Sequence, residues 1–172
     1  MSKKLNLLKK EFYSRDASKV VKDLLGKVIV RKYKNKLLKA RILETEAYYD
    51  EKDPASRACQ QGDLRETMLM EGGTILIYGV HNNWLMNIVT NKKGNAQAVL
   101  LRAIEPLNFV ARCKGPGLLT KALHIDKKFH KKNITENNKL WIEESEKPNK
   151  IFSSKRIGVK KDLPINLRFF IK

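Results

Sequence analysis

Short polar turns divide this chain into neighbouring strand-forming runs, and turns that short join antiparallel partners. Lys27–Tyr33 is rich in Val and Ile and is followed, across Lys34-Asn35-Lys36, by Leu37–Tyr48. Gly72-Gly73 opens a second run, Thr74–Val80, and His81-Asn82-Asn83 separates it from Trp84–Thr90. Asn91–Asn95 then reads as a hairpin loop into Ala96–Ile104, which Glu105-Pro106 ends. Shorter strands are predicted at Leu140–Glu143, Arg156–Val159 and Leu167–Ile171. Phe12–Leu25 is predicted helical, with Val20, Val21, Leu24 and Leu25 as its apolar stripe. Ser14, Asp16 or Ser18 caps it and Gly26 stops it. Asn108–Cys113 and Leu118–Leu123 carry helical patterns on either side of a Gly115-Pro116-Gly117 turn. Asp50–Glu66 reads as a polar loop with one short helix at Asp53–Cys59, and Lys127–Lys139 as loop. Paired strands with helices outside them predict an α+β fold with a mainly antiparallel sheet.

The chain is long enough, at 172 residues, for a single domain with a real core, spanning 1–172. Residues 1–11 are expected to form a flexible basic N-terminus. No apolar run reaches the roughly 18 residues of a membrane span, and the basic start lacks a secretory pattern. The only cysteines are Cys59 and Cys113, without metal-ligand spacing, so neither a disulfide framework nor a zinc site is expected. An intracellular protein is expected. Its 36 Lys and Arg face 18 Asp and Glu, a net charge of +18. That excess points to a polyanionic partner, usually nucleic acid, or else to a Lys-rich proteome. Thermophile composition would raise Glu as well, and acids are scarce here. The basic clusters are spread along the chain, so the positive surface belongs to the folded body.

Against that charge, Arg41-Ile-Leu-Glu-Thr-Glu-Ala-Tyr48 stands out. Alternation along a strand puts Glu44, Glu46 and Tyr48 on one side, with Leu43, Thr45 and Ala47 on the other. A carboxylate there acts as a general base on a water, or pairs with a neighbouring Lys or Arg. Tyr48, Tyr49, Tyr78, His81 and Trp84 are flat rings near turns or strand ends. Such rings stack on nucleobases or pack in a core, and core packing is the expectation for Trp84. Asn87, alone in an apolar run, bonds either a base edge or nearby backbone. Arg102 needs a carboxylate or a phosphate: Glu46, a flipped nucleotide's phosphate, or a structural partner in Glu44 or Glu105. No phosphate loop, dinucleotide fingerprint, zinc-deaminase signature or redox cysteine pair occurs. Cofactor-free chemistry or plain binding remains.

These motifs fall in a familiar order. Arg-Ile-Leu-Glu-Thr-Glu-Ala-Tyr (41–48) precedes Asp-Pro-Ala-Ser (53–56), Gly-Gly-Thr-Ile-Leu-Ile-Tyr (72–78) and Met-Asn-Ile-Val (86–89). Val-Leu-Leu-Arg-Ala-Ile-Glu-Pro (99–106), Gly-Pro-Gly (115–117), Thr-Lys-Ala-Leu (120–123) and Arg-Ile-Gly-Val (156–159) follow. From Phe12 to Phe170 the chain resembles the alkyladenine (3-methyladenine) DNA glycosylase family. The resemblance implies a curved antiparallel sheet in a single domain, a monomer without metal or cofactor. It implies a base-excision-repair enzyme acting in the nucleoid or nucleus. Its substrates would be alkylated or deaminated purines flipped out of duplex DNA: 3-methyladenine, 7-methylguanine, ethenoadenine, hypoxanthine.

By the same resemblance Glu46 is the base that activates water, and Arg102 positions water and the flipped nucleotide. Tyr48 and Tyr78 are the pocket walls, and Asn87 screens purines by their exocyclic groups. Arg57 stands where the family usually has His beside the pocket. The turn after Tyr78 is about one residue short of the family pattern. Aligned on the strand, His81 is the wedge inserted into the duplex; aligned on Tyr78-Gly79, Tyr78 is. No lysine is placed as a Schiff-base nucleophile, so a monofunctional glycosylase is expected. The competing reading is a non-catalytic basic module that binds damaged DNA.

Overall fold

The computed structural model describes residues 6–172. Its centre is a curled antiparallel sheet, a half-barrel, flanked by short helices: an α+β fold. The helices are α1 (Lys10–Tyr13), α2 (Ala17–Asp23), α3 (Asp63–Met68) and α4 (Pro116–Ala122). The strands are β1 (Val28–Tyr33), β2 (Lys36–Tyr48), β3 (Ile75–Val80) and β4 (Asn83–Val89), then β5 (Ala98–Pro106), β6 (Leu140–Glu143), β7 (Phe152–Ser154) and β8 (Arg168–Phe170). Their order across the sheet is β3-β4-β5-β2-β1-β6, with β8 joining β2 and carrying β7. Among the described residues no helix is long and apolar enough to cross a membrane.

The long strand β2 organises the sheet. One edge pairs with β5, while the other pairs with β1 in its first half and β8 in its second. Two bulges break the β2–β5 ladder, leaving Leu43 and Arg102 without an opposite residue. Each bulge reverses the facing of its strand, because side chains alternate with a period of two. Ile42 therefore joins the same core as Ala47, and Ile104 the same core as Leu101. The simple alternation predicted for β2 fails at this point. Thr45 and Ala47 are buried on the inner face as expected, but the core residue before the site is Ile42, and Leu43 is half-buried.

The main core lies inside the curl. Tyr13, Val20, Val21, Leu24 and Leu25 from the N-terminal helices meet Ile29, Ile42, Ile75, Ile77, Met86, Ile88, Val99 and Leu101 from the strands. A smaller cluster of Ala58, Met68, Leu76, Val89, Ala96 and Ala98 lies on the opposite face, under the 50–70 segment.

Several local expectations change. The single helix 12–25 is two helices, because Asp16 leaves helical geometry to cap α2, accepting the Ser18 N–H at 2.9 Å. Gly26, at φ +83°, ends it as predicted. Residues 108–113 are not helical: the Cys113 carbonyl pairs with the Ile104 N–H, and Lys114 bridges Ala103. Gly115-Pro116-Gly117 is the start of α4, with Pro116 in its first turn. The strand predicted at 156–159 lies earlier, at Phe152–Ser154. Within 50–66, only Arg57–Cys59 of the predicted helix turns, as a 3₁₀ helix, and α3 was not anticipated. The basic N-terminus is anchored where described: Leu7 bridges Glu143 and Leu8 donates to Ile142. Residues 1–5 lie outside the described residues.

Gly72 shows how tightly α1 and the sheet meet. A Cβ there would sit 2.7 Å from the Tyr13 carbonyl oxygen and 3.0 Å from that of Asn91. Both are backbone atoms, which cannot swing aside. Gly72→Ala is expected to cost about 1–3 kcal/mol of stability, measured by urea unfolding.

Candidate active site

The sheet's outer face carries a continuous row of side chains. Leu76 on β3 pairs with Asn87 on β4, Asn87 with Leu100 on β5, Leu100 with Glu46 on β2, and Glu46 with Arg168 on β8. Tyr78 is two residues from Leu76 and Tyr48 two from Glu46, so both share this face. The topology thus brings Glu46, Tyr48, Tyr78 and Asn87 onto one surface from three strands.

Glu46 is fully buried and both its oxygens are engaged. Its Oε2 accepts from the Tyr48 hydroxyl at 2.8 Å and from Arg102 Nη1 at 3.4 Å. Its Oε1 accepts the Ile157 backbone N–H at 2.8 Å. Burial raises its pKa above the ordinary glutamate value, and Arg102, the Ile157 amide and Tyr48 only partly oppose that push. Glu44 goes the other way. Burial pushes its pKa up too, but Arg168 and Arg102 outweigh it, and the net shift is downward. Arg102 donates through Nε to Glu44 at 3.0 Å and so spans both carboxylates. Glu105 instead pairs with Arg41, at 3.8 Å. One carboxylate is shifted toward its charged form and its neighbour toward protonation. Environments that separate two acids in this way suit the second to proton transfer.

An open groove of about 1000 Å³ runs beside this cluster, lined by Glu44, Arg102 and Ile157 as well as Leu43, Arg112 and Phe170. Three of its lining residues are direct neighbours of Glu46: two bond its carboxylate, and Glu44 shares Arg102 with it. The groove thus reaches the carboxylate's partners, while Glu46, Tyr48, Tyr78 and Asn87 themselves do not line it.

Asn87 is buried, and its amide makes one long bond, to the Leu76 carbonyl at 3.4 Å. Tyr78 is half-buried, and the exposed Arg57 lies with its guanidinium 4.6 Å from the ring centroid. His81 is exposed at the tip of the β3–β4 hairpin. Both turn residues have positive φ, +48° at His81 and +61° at Asn82, as a two-residue hairpin of the right twist requires. Trp84 is not a core residue, contrary to expectation. It is 40% exposed beside that turn, its ring across Gly79.

One element was missed in the sequence. Arg156 is fully buried and clamps Asp53 through two bonds of 2.7 Å, with Asp162 beside it, also at 2.7 Å. It donates to the Ala47 carbonyl and lies 4.5 Å over the Tyr48 ring. Ile157, the next residue, supplies the amide that holds Glu46. The signal was present, because Asp53 and Arg156 each open a motif that marked the resemblance. Nothing local says that residues so far apart meet.

A family model described as methylpurine-DNA glycosylase matches residues 11–172. Relatives assigned by name as 3-methyladenine DNA glycosylases align over nearly the whole chain. The one from Aeropyrum pernix is 38% identical, covering 96% of this chain and 89% of its own length. That from Borrelia garinii is 38% identical, covering 94% of each. The Legionella pneumophila protein is 39% identical, covering 96% of this chain and 94% of its own. With the matched span taking in both the carboxylate row and the Arg156 clamp, the chain belongs to the methylpurine-DNA glycosylase family.

Proposed function

We propose that this protein is a monofunctional, monomeric base-excision-repair glycosylase acting on duplex DNA inside the cell. It hydrolyses the N-glycosidic bond of alkylated or deaminated purines: 3-methyladenine, 7-methylguanine, ethenoadenine and hypoxanthine. The observation that carries this is Glu46. A protein of charge +18 buries one carboxylate completely on the face that also holds Tyr48, Tyr78 and Asn87. A module that only bound phosphates would gain nothing from it.

We assign the roles as follows, with the shared face of the sheet in support. The target nucleotide leaves the stack, since its glycosidic bond is inaccessible there. Tyr48 and Tyr78 flank the base, and the weakly bonded Asn87 amide reads its edge. Glu46 takes a proton from water as the water oxygen bonds to C1′. The C1′–N9 electron pair leaves with the purine, and the ionised carboxylate stabilises the cationic sugar between these events. Arg102 holds Glu46 in place and orients the nucleotide. His81, at the hairpin tip, fills the gap left in the duplex.

The test is a panel of duplexes, each with one of these lesions, incubated with the protein and cleaved by alkali at abasic sites. Lesion-dependent cleavage on at least one is expected, and its absence on all would defeat the reading. Replacing His81 with Ala is expected to slow excision from duplex about tenfold, or about 1.4 kcal/mol. Excision from single strands, which need no wedge, should change little. An unchanged duplex rate removes His81 from that role.

A further inference from the structure

Four guanidinium groups lie directly against Glu44, Glu46, Tyr48 or Tyr78, and three of them have carboxylate partners. Arg102 and Arg168 share Glu44, and Arg156 is held by Asp53 and Asp162. Arg57 is the exception. Among the described residues no ion pair or hydrogen bond engages its side chain, which lies 4.6 Å over the Tyr78 ring. Its backbone is well fixed: Ser56 Oγ accepts the Ala58 N–H at 3.1 Å and donates to Tyr49, while Arg65 bonds the Ala58 carbonyl. An anchored turn therefore holds a permanent, uncompensated positive charge against a proposed pocket wall.

We infer that Arg57 selects neutral purines with free O6 and N7 acceptors, hypoxanthine foremost, and disfavours cationic N-alkylated purines. The inference rests on the glycosylase reading above. A purine alkylated at N3 or N7 already carries positive charge, and a nearby guanidinium repels it. An N7-alkylated base has also lost the N7 acceptor. A 6-oxopurine presents O6 and N7 side by side, the edge that an arginine fork engages with two hydrogen bonds.

The same contact serves the chemistry of a poor leaving group. When C1′–N9 breaks, the bonding pair stays with the purine and its charge spreads to O6 and N7. Donors fixed at those atoms stabilise charge as it develops. Arginine stays protonated throughout, so Arg57 transfers no proton. The departed purine anion takes one from water, and the proton of the attacking water goes to Glu46. Neutral leaving groups, which lack the activation of alkylated bases, thus gain a partner that alkylated bases do not need.

The test is single-turnover excision by the whole chain from duplexes carrying hypoxanthine or 7-methylguanine, corrected for spontaneous depurination. Arg57→Gln and Arg57→Lys are compared with the parent. In Arg57→Gln the ratio of hypoxanthine to 7-methylguanine rates is expected to fall at least tenfold, with the 7-methylguanine rate higher than the parent's. Arg57→Lys keeps the charge but not the fork, so 7-methylguanine stays slow while hypoxanthine slows too. Equal losses on both lesions would make Arg57 a phosphate contact and overturn the inference alone, as would no change in either. Excision of neither lesion by the parent protein overturns this inference, and the glycosylase reading falls with it only if 3-methyladenine and ethenoadenine duplexes are also left uncut.

Discussion

Replacing Glu46 with Gln is expected to lower the single-turnover excision rate by about 10²–10⁴-fold, the usual worth of a general base. Lesion binding should remain within a few-fold of the parent. The substitution is nearly isosteric. The amide oxygen still accepts the Ile157 N–H, and Arg102 keeps its 3.0 Å bond to Glu44. Basicity and charge are removed, and the amide nitrogen in the Oε2 position no longer accepts from Arg102, while the Tyr48 hydroxyl can turn to accept from it. Stability separates this outcome from misfolding. Burial raises the Glu46 pKa, so its ionised form is disfavoured in the folded state relative to the unfolded chain. That cost appears as pH rises through the unfolded value toward the raised folded one, and is fully present above both. At neutral pH Glu46→Gln is therefore expected to be at least as stable as the parent. The parent's rate should climb with pH through a pKa above the ordinary glutamate value, and the variant's residual rate should lack that limb. Full activity in Glu46→Gln would remove the carboxylate from the reaction.

Asp53→Ala is expected to cost about 3–5 kcal/mol of folding stability, because it strands a buried guanidinium. Arg156 and Asp53 are both completely buried and joined by two 2.7 Å bonds. Asp53 also accepts the Tyr49 and Ala55 N–H groups at 3.0 and 3.1 Å, which fixes the loop that carries Arg57. Asp162 remains beside Arg156 but has one oxygen on it, shared with the Leu163 N–H. Burial pushes the Asp53 pKa up, and Arg156 with the backbone donors outweighs it, so the net shift is downward. A depressed carboxylate stabilises the fold above its unfolded pKa and loses that contribution as pH falls toward the folded one. The gap between parent and Asp53→Ala, read by urea unfolding, should be full at pH 7 and shrink below about pH 4. A gap under about 1 kcal/mol at pH 7, the worth of an exposed pair, would mean that Asp162 alone compensates Arg156. Excision should fall as well, in the chemical step more than in binding, since the Ile157 amide and the Tyr48 ring both depend on Arg156.

Much of the candidate site was legible in the chain because it rests on strand parity. Glu44, Glu46 and Tyr48 share a face because the bulge of β2 falls before them, at Leu43, and Asn87 shares one with Leu85 and Val89. The hairpin at Lys34-Asn35 was visible in its turn chemistry, whereas His81-Asn82-Asn83 reads only as a polar break and folds as a two-residue hairpin turn. The misses have a common cause. The bulges at Leu43 and Arg102 exist because two strands must bury Ile42 and Ile104 on the side that Ala47 and Leu101 already occupy. Segment 108–113 has helical periodicity, but its backbone is taken by Ile104 and Ala103. Trp84 looked like core because it opens the apolar run 84–90, yet it is 40% exposed beside the hairpin turn.

By itself, then, the sequence determined the strand runs joined by short turns and the strong positive charge, which depend on residue type and short-range spacing. Its ordered motifs, through the family resemblance, nominated Glu46, Tyr48, Tyr78, Asn87 and Arg102 as candidates. The tertiary structure alone decided what state those residues are in. It raised the Glu46 pKa and lowered that of Glu44, a difference set by burial and by Arg168, which lies 124 positions from Glu44. It joined Asp53 to Arg156 across 103 positions and left Arg57 without a partner among the described residues. Solvation and long-range charge are properties of the folded surroundings, and no local pattern encodes them.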